Sequence, residues 1–594
     1  MSSLSDAAPR GAQLELTPRG SRLHLHLPRL SVSYRSLVSI GLPALLFLTV
    51  LSVLAFNALT RVVFESDSAM HLLFMKIIAG TGHLPTHIPH FAAKVAPGGS
   101  VEAWFPYQYT PLYHIVGAGF YKVGGPNAVL LLGPLCGAIV ALLLFHLVRP
   151  SVAWPFALVG AALVLIHRNS WPVFTWVFME PMCLVFFIGS LLYYRRLWSG
   201  GGRRNAVAAG VLLGLAISTR QTALMYAAFM AMHSFLSVTW GLRGCTNRWA
   251  FLRGATATYG LMFGTAGLVA LPAVGYLFWM TGNVGYGAIG LPGFVPHLEV
   301  DPAANAYISS ITTPGLSLVD WADRFKRIIL YMNPWSPWWY TYAPLALYVL
   351  GTAWLLRKRD KKHTFLATYA LVHLLGEFVL FLTVHGSVRY VIASRILFYS
   401  VVAVGLFALW HWVFSLLESD APGLWGKRAQ VGVLATACVL VFVPAFVSGP
   451  YLAHLSNFDA PRSERARAYE ELGDWIKQKT PPGSLILSGR WYAPALYFDR
   501  DYTWVTYYGN TWAVEASQAT DPQASMDILA RYGVDYVIVQ KPPGSYVDRM
   551  PQDGLRHTLL EDQQHFKLVF RNDRTRLYQF FPDGQASRAD YVAR

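Results

Sequence analysis

From residue 39 to residue 449 the chain is a succession of apolar runs, most of them about 17 to 25 residues long, the length an α-helix needs to cross a bilayer. The run SIGLPALLFLTVLSVLAFNALT opens the series and NAVLLLGPLCGAIVALLLFHLV continues it. Backbone polar groups find no water in hydrocarbon, so such runs admit only helices or a closed barrel. Continuous apolar stretches without strict alternation select helices. Only 13% of the residues are charged, where a soluble protein has about 25%. The expected fold class is an all-α polytopic membrane domain followed by a C-terminal soluble α/β domain.

Charge then orients the runs. Basic clusters occur at Arg149, RRLWSGGGRR, GLRGCTNRWAFLR, RKRDKK and GKR, and they fall at every second boundary between runs. Cytoplasmic loops collect Lys and Arg, so this alternation predicts about 11 spans, with the N-terminus inside and the C-terminal domain outside. The net charge of +16 therefore reads as topology and does not call for a nucleic-acid partner. Residues 1–38, with five arginines, read as an uncleaved cytoplasmic tail, too long and polar for an ordinary signal peptide. Residues 39–450 form the membrane domain. Residues 451–594 lose the apolar runs; ERARAYEELGDWIKQ has helical spacing, and SLILSG, VDYVIVQ, FKLVFRN and RLYQFF read as strands. The four cysteines form no CxxC pair and imply neither zinc nor a disulfide framework.

Ionisable groups bordering membrane spans are costly and mark functional sites. Here they gather at the outer ends. Glu65 and Asp67 follow the first span, Arg168 and Glu180 bracket another outer turn, and Arg220 occupies the next. His385, Arg389 and Arg395 lie at a later one, with His373 and Glu377 somewhat deeper. A carboxylate can take the proton of an attacking hydroxyl, and arginines can stabilise a phosphate leaving group. Each residue also has a plainer reading. Asp67 suits the start of a helix, Glu180 before Pro181 suits a helix dipole, and the arginines suit anchors at the interface. His71 suits packing, and Glu377 suits a structural pair with Arg395 or Arg389.

Four stretches together resemble the GT-C superfamily of membrane glycosyltransferases, on the branch of protein O-mannosyltransferases and the aminoarabinose transferase of lipid A. SDSAMHLLFMKIIAGTGHLP resembles the family's first outer loop, where an Asp opens a juxtamembrane helix. FPYQYTPLYHIVGAGFYKVGG resembles its YPPLY segment, a second juxtamembrane helix. FMEPMCLVFF with GLAISTRQTAL, and HGSVRYVIASRILFYSV, resemble its later motifs. TPPGSLILS and YGVDYVIVQ fit the outer domain of many members.

The resemblance implies a glycosyltransferase that moves a sugar from a polyprenyl-phosphate donor to a hydroxyl on a lipid, glycan or protein. The expected mechanism is a single, inverting displacement. Asp67 would be the catalytic carboxylate, with Glu65 as helper. Arg389, Arg220 and His385 would bind the donor phosphate. Glu180, Arg168, His71, Tyr109, Tyr113 and Glu377 would line the cavity. The sequence departs from the family where Asp67-Ser68 replaces Asp-Glu, and where Tyr109 replaces the lysine of aminoarabinose enzymes, which argues against that sugar. No cofactor is expected; no metal-ligand spacing is evident, and a divalent metal stays open. The expected setting is a bacterial inner or plasma membrane, with membrane lipids as partners. The alternatives are a flippase or transporter of lipid-linked sugars and a non-catalytic envelope-assembly factor. Charges confined to one face and the lack of an evident repeat speak against a transporter.

Overall fold

The computed structural model describes residues 24–27, 30–33, 40–62, 64, 67–107, 109–166, 170–243, 245–281, 339–358, 360–383, 392–418, 462–488, 496–504, 511–519, 521–540, 562–572 and 575–584. A short antiparallel hairpin, β1 (His24–Leu27) and β2 (Leu30–Ser33), lies within the N-terminal tail. The first long helix is α1 (Leu42–Arg61), and α2 (Asp67–Thr81) follows it. Strands β3 (His87–Val95) and β4 (Val101–Pro106) come next, then α3 (Leu112–Val148), α4 (Trp154–Ile166) and the single turn α5 (Trp171–Thr175). The bundle continues through α6 (Glu180–Trp198), α7 (Arg203–Thr219), α8 (Ala223–Arg243) and α9 (Arg248–Thr281). It resumes with α10 (Trp339–Arg357), α11 (Lys361–Thr383) and α12 (Ile392–Glu418).

A helix stands at each position read as a span up to residue 418, and the run 430–449 lies outside the described residues. Five described helices are long and apolar enough to cross a membrane: α1, α3, α8, α9 and α12. Others that pack among them are shorter or carry charge near their ends, such as α4 with 13 residues and α7 with two arginines in its first turn. Leu45, Leu48 and Phe56 of α1, and Leu268, Leu271 and Phe278 of α9, are exposed. Apolar side chains turned outward suit a lipid solvent.

Helix α3 is two helices in one. Gly124 and Gly125 leave helical geometry, and Gly125 has φ +63°, a region that only glycine enters without strain. Pro126 follows as a natural restart. The segment 112–123 is thereby separated from the spanning segment 126–148, in keeping with the reading of FPYQYTPLY onward as a helix of its own.

Helix α2 is apolar on all sides, and the structure shows why. Ala69, Leu72 and Met75 pack in one cluster with Ala58 of α1, Val62 just after it, and Tyr113, Val129 and Cys136 of α3. Met70, Leu73 and Phe74 face the other way, into a core with Leu472, Ile476, Ile486, Tyr536 and Leu577. The helix is a layer between the bundle and the C-terminal α/β domain, called the outer domain after its expected side of the membrane. Each such side chain buried contributes roughly 1.5–3 kcal/mol.

The outer domain begins at α13 (Arg462–Lys479), whose Tyr469, Leu472 and Ile476 make one buried stripe. It continues with β5 (Leu485–Ser488), β6 (Tyr502–Trp504), α14 (Thr511–Gln518) and α15 (Pro522–Arg531). Strands β7 (Val534–Gln540), β8 (Phe566–Arg571) and β9 (Thr575–Phe580) complete it. All four strands and the helix expected from sequence are present. Among the described residues the sheet has seven strands in the order β4-β3-β6-β5-β7-β9-β8. Its β4-β3 end comes from the first outer loop: β3 pairs parallel to β6 through Phe91 and Tyr502, whose rings stack 5.0 Å apart. The tip of the β3–β4 hairpin is fastened as well, because the Gly98 N–H donates to the Arg531 carbonyl at 2.7 Å.

Candidate active site

Seven of the eleven residues given a site role from the sequence are described, and six of them are buried, on neighbouring elements. Asp67 is in the first turn of α2 and is 8% exposed. A carboxylate suits a helix N-terminus, where the dipole attracts negative charge. His71 lies one turn further on, at 2% exposure. Tyr109 precedes α3, and Tyr113 sits in its first turn, fully buried. The His71 ring meets Tyr109 edge-on at 5.3 Å and Tyr113 at 5.6 Å. The two outer-loop helices thus hold one aromatic box around the histidine. Glu65, Arg168, His385 and Arg389 lie outside the described residues.

Beyond the box comes a pair of buried charges. Glu180 opens α6 and Arg220 follows the last turn of α7; they form an ion pair at 5% and 7% exposure. Each charge stands at the helix end whose dipole favours it, the acid at an N-terminus and the base at a C-terminus. The turn that carries Arg220 is itself buried through Gln221 and Thr222, which is unusual for a connection between helices. Glu180 lies within electrostatic reach of Tyr113, linking the pair to the aromatic box.

Glu377 sits deeper. His373 Nε2 and Glu377 Oε1 are 3.2 Å apart, one turn along α11. Tyr226 lies within electrostatic reach of Glu377, Arg220 and Glu180 together, so the two acid groups border a common region. Arg395, fully buried in the first turn of α12, feels Glu377 and donates from Nη1 to Ser170 Oγ at 3.3 Å. Asp67, His71, Tyr113, Glu180, Arg220 and Glu377 therefore follow one another across the outer-loop helices and the adjacent helix ends. Among the described residues, no group of three or more His, Cys, Asp or Glu is arranged to hold a metal ion.

Two polar residues here escaped the sequence reading. His114, in the first turn of α3, places Nε2 2.9 Å from His71 Nδ1. Its Nδ1 lies 2.7 Å from the Tyr107 hydroxyl. All three residues are buried at 2% exposure or less. The signal was a histidine in each outer-loop helix, both within apolar surroundings. The arrangement brings a carboxylate, a hydrogen-bonded histidine pair and a guanidinium to one end of the bundle. It has the parts for proton transfer beside a buried ion pair.

No family model matches the chain, and no curated protein matches it. Solved structures do. The archaeal oligosaccharyltransferase AglB from Archaeoglobus fulgidus, in complex with an inhibitory peptide and a dolichol-phosphate, aligns over 92% of this chain and 74% of its own. The TM-score is 0.54 at 13% identity. ArnT from Cupriavidus metallidurans, bound to undecaprenyl phosphate, aligns over 93% of this chain and 100% of its own, with a TM-score of 0.51 at 14% identity. Similarity this low in sequence and this broad in extent speaks to fold: the chain folds like these two structures over most of its length.

Proposed function

We propose that the chain is an integral-membrane glycosyltransferase that moves a sugar from a polyprenyl-phosphate donor to a hydroxyl acceptor. The observation that carries this reading is a convergence on one GT-C frame. The Asp67 helix, the aromatic box around His71 and the Glu180–Arg220 pair meet at a single end of the bundle. The donor class is supported by the two structures of similar fold, one in complex with dolichol-phosphate and the other bound to undecaprenyl phosphate.

In this mechanism the acceptor hydroxyl gives its proton to the Asp67 carboxylate as its oxygen attacks the anomeric carbon. The bond from that carbon to the phosphate oxygen breaks in the same displacement, and polyprenyl phosphate leaves with the electron pair. One displacement inverts the anomeric centre. Arg220, paired with Glu180, would stabilise the departing phosphate as its charge develops. Arg389 and His385 would complete the phosphate site, and Glu65 would assist Asp67. Arg195 and Arg196, at the opposite end of α6 from Glu180, support an orientation with the active end and the outer domain outside the cytoplasm.

The test is Asp67→Asn in purified protein supplied with a panel of polyprenyl-phosphate sugars and membrane extract, with products read by mass spectrometry. Transfer should fall by about a hundredfold or more while folding is retained. Near-normal turnover by that variant overturns the assignment.

A further inference from the structure

The Tyr107–His114–His71 chain does more than fill space, because its hydrogens can be placed. Tyr107 has one hydroxyl proton to give, and among the described residues the one hydrogen-bond partner of that hydroxyl is His114 Nδ1, 2.7 Å away. Burial pushes the Tyr107 phenol well above its usual value, so the hydroxyl keeps its proton. If Tyr107 instead accepted from His114, that buried proton would lack an acceptor among these residues, at a cost that native structures avoid. Tyr107 is therefore the donor and His114 Nδ1 the acceptor. A neutral imidazole carries one proton, so that of His114 is on Nε2 and goes to His71 Nδ1, 2.9 Å away. By the same rule the His71 proton is on Nε2.

We infer that Tyr107 and His114 lock the tautomer of His71, so that His71 presents Nε2–H as a fixed hydrogen-bond donor one helical turn from Asp67. Asp67 and His71 stand at positions i and i+4 of α2, the spacing at which side chains on a helix meet. A ring that donates there is not a base, which leaves the acceptor proton to the carboxylate. His71 is then a positioning residue: it orients Asp67 so that one oxygen faces the acceptor hydroxyl. The surroundings suit a fixed relay. Phe74 lies edge-on to both His114, at 5.2 Å, and Tyr107, at 4.8 Å, and shields the chain from water. The role given to the Nε2–H rests on the glycosyl-transfer reading; the tautomer itself does not.

The test is nitrogen NMR of protein labelled with ¹⁵N-histidine in bilayers, with the His71 signals assigned by their loss in His71→Asn. The wild type should show His71 protonated at Nε2 and accepting at Nδ1. Tyr107→Phe should let both tautomers appear at His71, and should lower kcat by roughly tenfold, the worth of one hydrogen bond, with little change in KM. His71 protonated at Nδ1 in the wild type overturns the lock, whatever any variant does. So does a single unchanged tautomer in a folded Tyr107→Phe protein. Full activity of Asp67→Asn would remove the catalytic reading and leave the NMR result to decide the lock alone.

Discussion

The Glu180–Arg220 pair shows how far single residues were legible. FMEPM and STRQT each carry one ionisable residue at the edge of an apolar run, and that rarity marked them. What the sequence could not show is that they are partners. Forty residues separate them, and only the antiparallel packing of α6 on α7 brings the start of one to the end of the other. His114 and Tyr107 were missed for a related reason: their importance lies in a bond to another loop segment. The pair also predicts an outcome. Glu180→Gln takes the counter-charge from a buried guanidinium, and breaking such a pair costs about 3–5 kcal/mol. The double variant Glu180→Leu with Arg220→Met removes both charges and should recover much of that stability, yet should not recover transfer. Thermal unfolding in detergent, read beside turnover, separates the two roles. A double variant no more stable than Glu180→Gln alone contradicts the account.

Among elements, helices were easier to read than strands. The apolar runs and basic ends located the bundle helices, because a membrane helix satisfies its own backbone and needs no distant partner. Strands β3 and β4 left no local trace: HIPHFAAKV and VEAWFP contain prolines and do not alternate cleanly. One partner of β3 is the adjacent β4, but the other, β6, which joins the hairpin to the sheet, is some four hundred residues away in sequence. Helix α2 was located correctly but explained incompletely. The resemblance makes it a juxtamembrane helix, and the structure buries its apolar residues between two protein layers. Close contact between helices was also invisible until they were placed. Gly210 and Gly214 of α7 make a small-xxx-small face against α9, and a Cβ on Gly214 would lie 2.6 Å from the Ala266 carbonyl oxygen. Backbone cannot yield as a side chain can, so Gly214→Leu should destabilise the bundle by about 1–3 kcal/mol or more. A lowered melting temperature in detergent would bear this out, and an unchanged one would show that α7 and α9 do not pack so closely.

At the scale of the whole molecule, the sequence divides at residue 450, where the apolar runs end, and the outer domain's core crosses that division. Among the described residues its inner cluster contains fourteen buried ones, and six of them, Met70, Leu73, Phe74, Ile88, Phe91 and Tyr107, come from the first outer loop. Composition reports which solvent a segment lives in, and both segments live outside the bundle; it does not report that they share one core. The consequence for function is mechanical. The helix that begins with Asp67 is clamped by the bundle on one face and by the outer domain on the other, so the carboxylate is set by both. The consequence for stability is a matter of magnitude. Six side chains at roughly 1.5–3 kcal/mol each come to on the order of 10 kcal/mol, comparable with the entire stability of an ordinary domain. Residues 451–594 produced alone should therefore show no cooperative melting transition by circular dichroism. A fusion that adds residues 64–107 should restore one, because it returns α2, β3 and β4 to the sheet and its core. A sharp transition in the 451–594 fragment by itself would mean that the outer loop merely rests on a domain complete without it, and Asp67 would lose one of the two surfaces that fix its place.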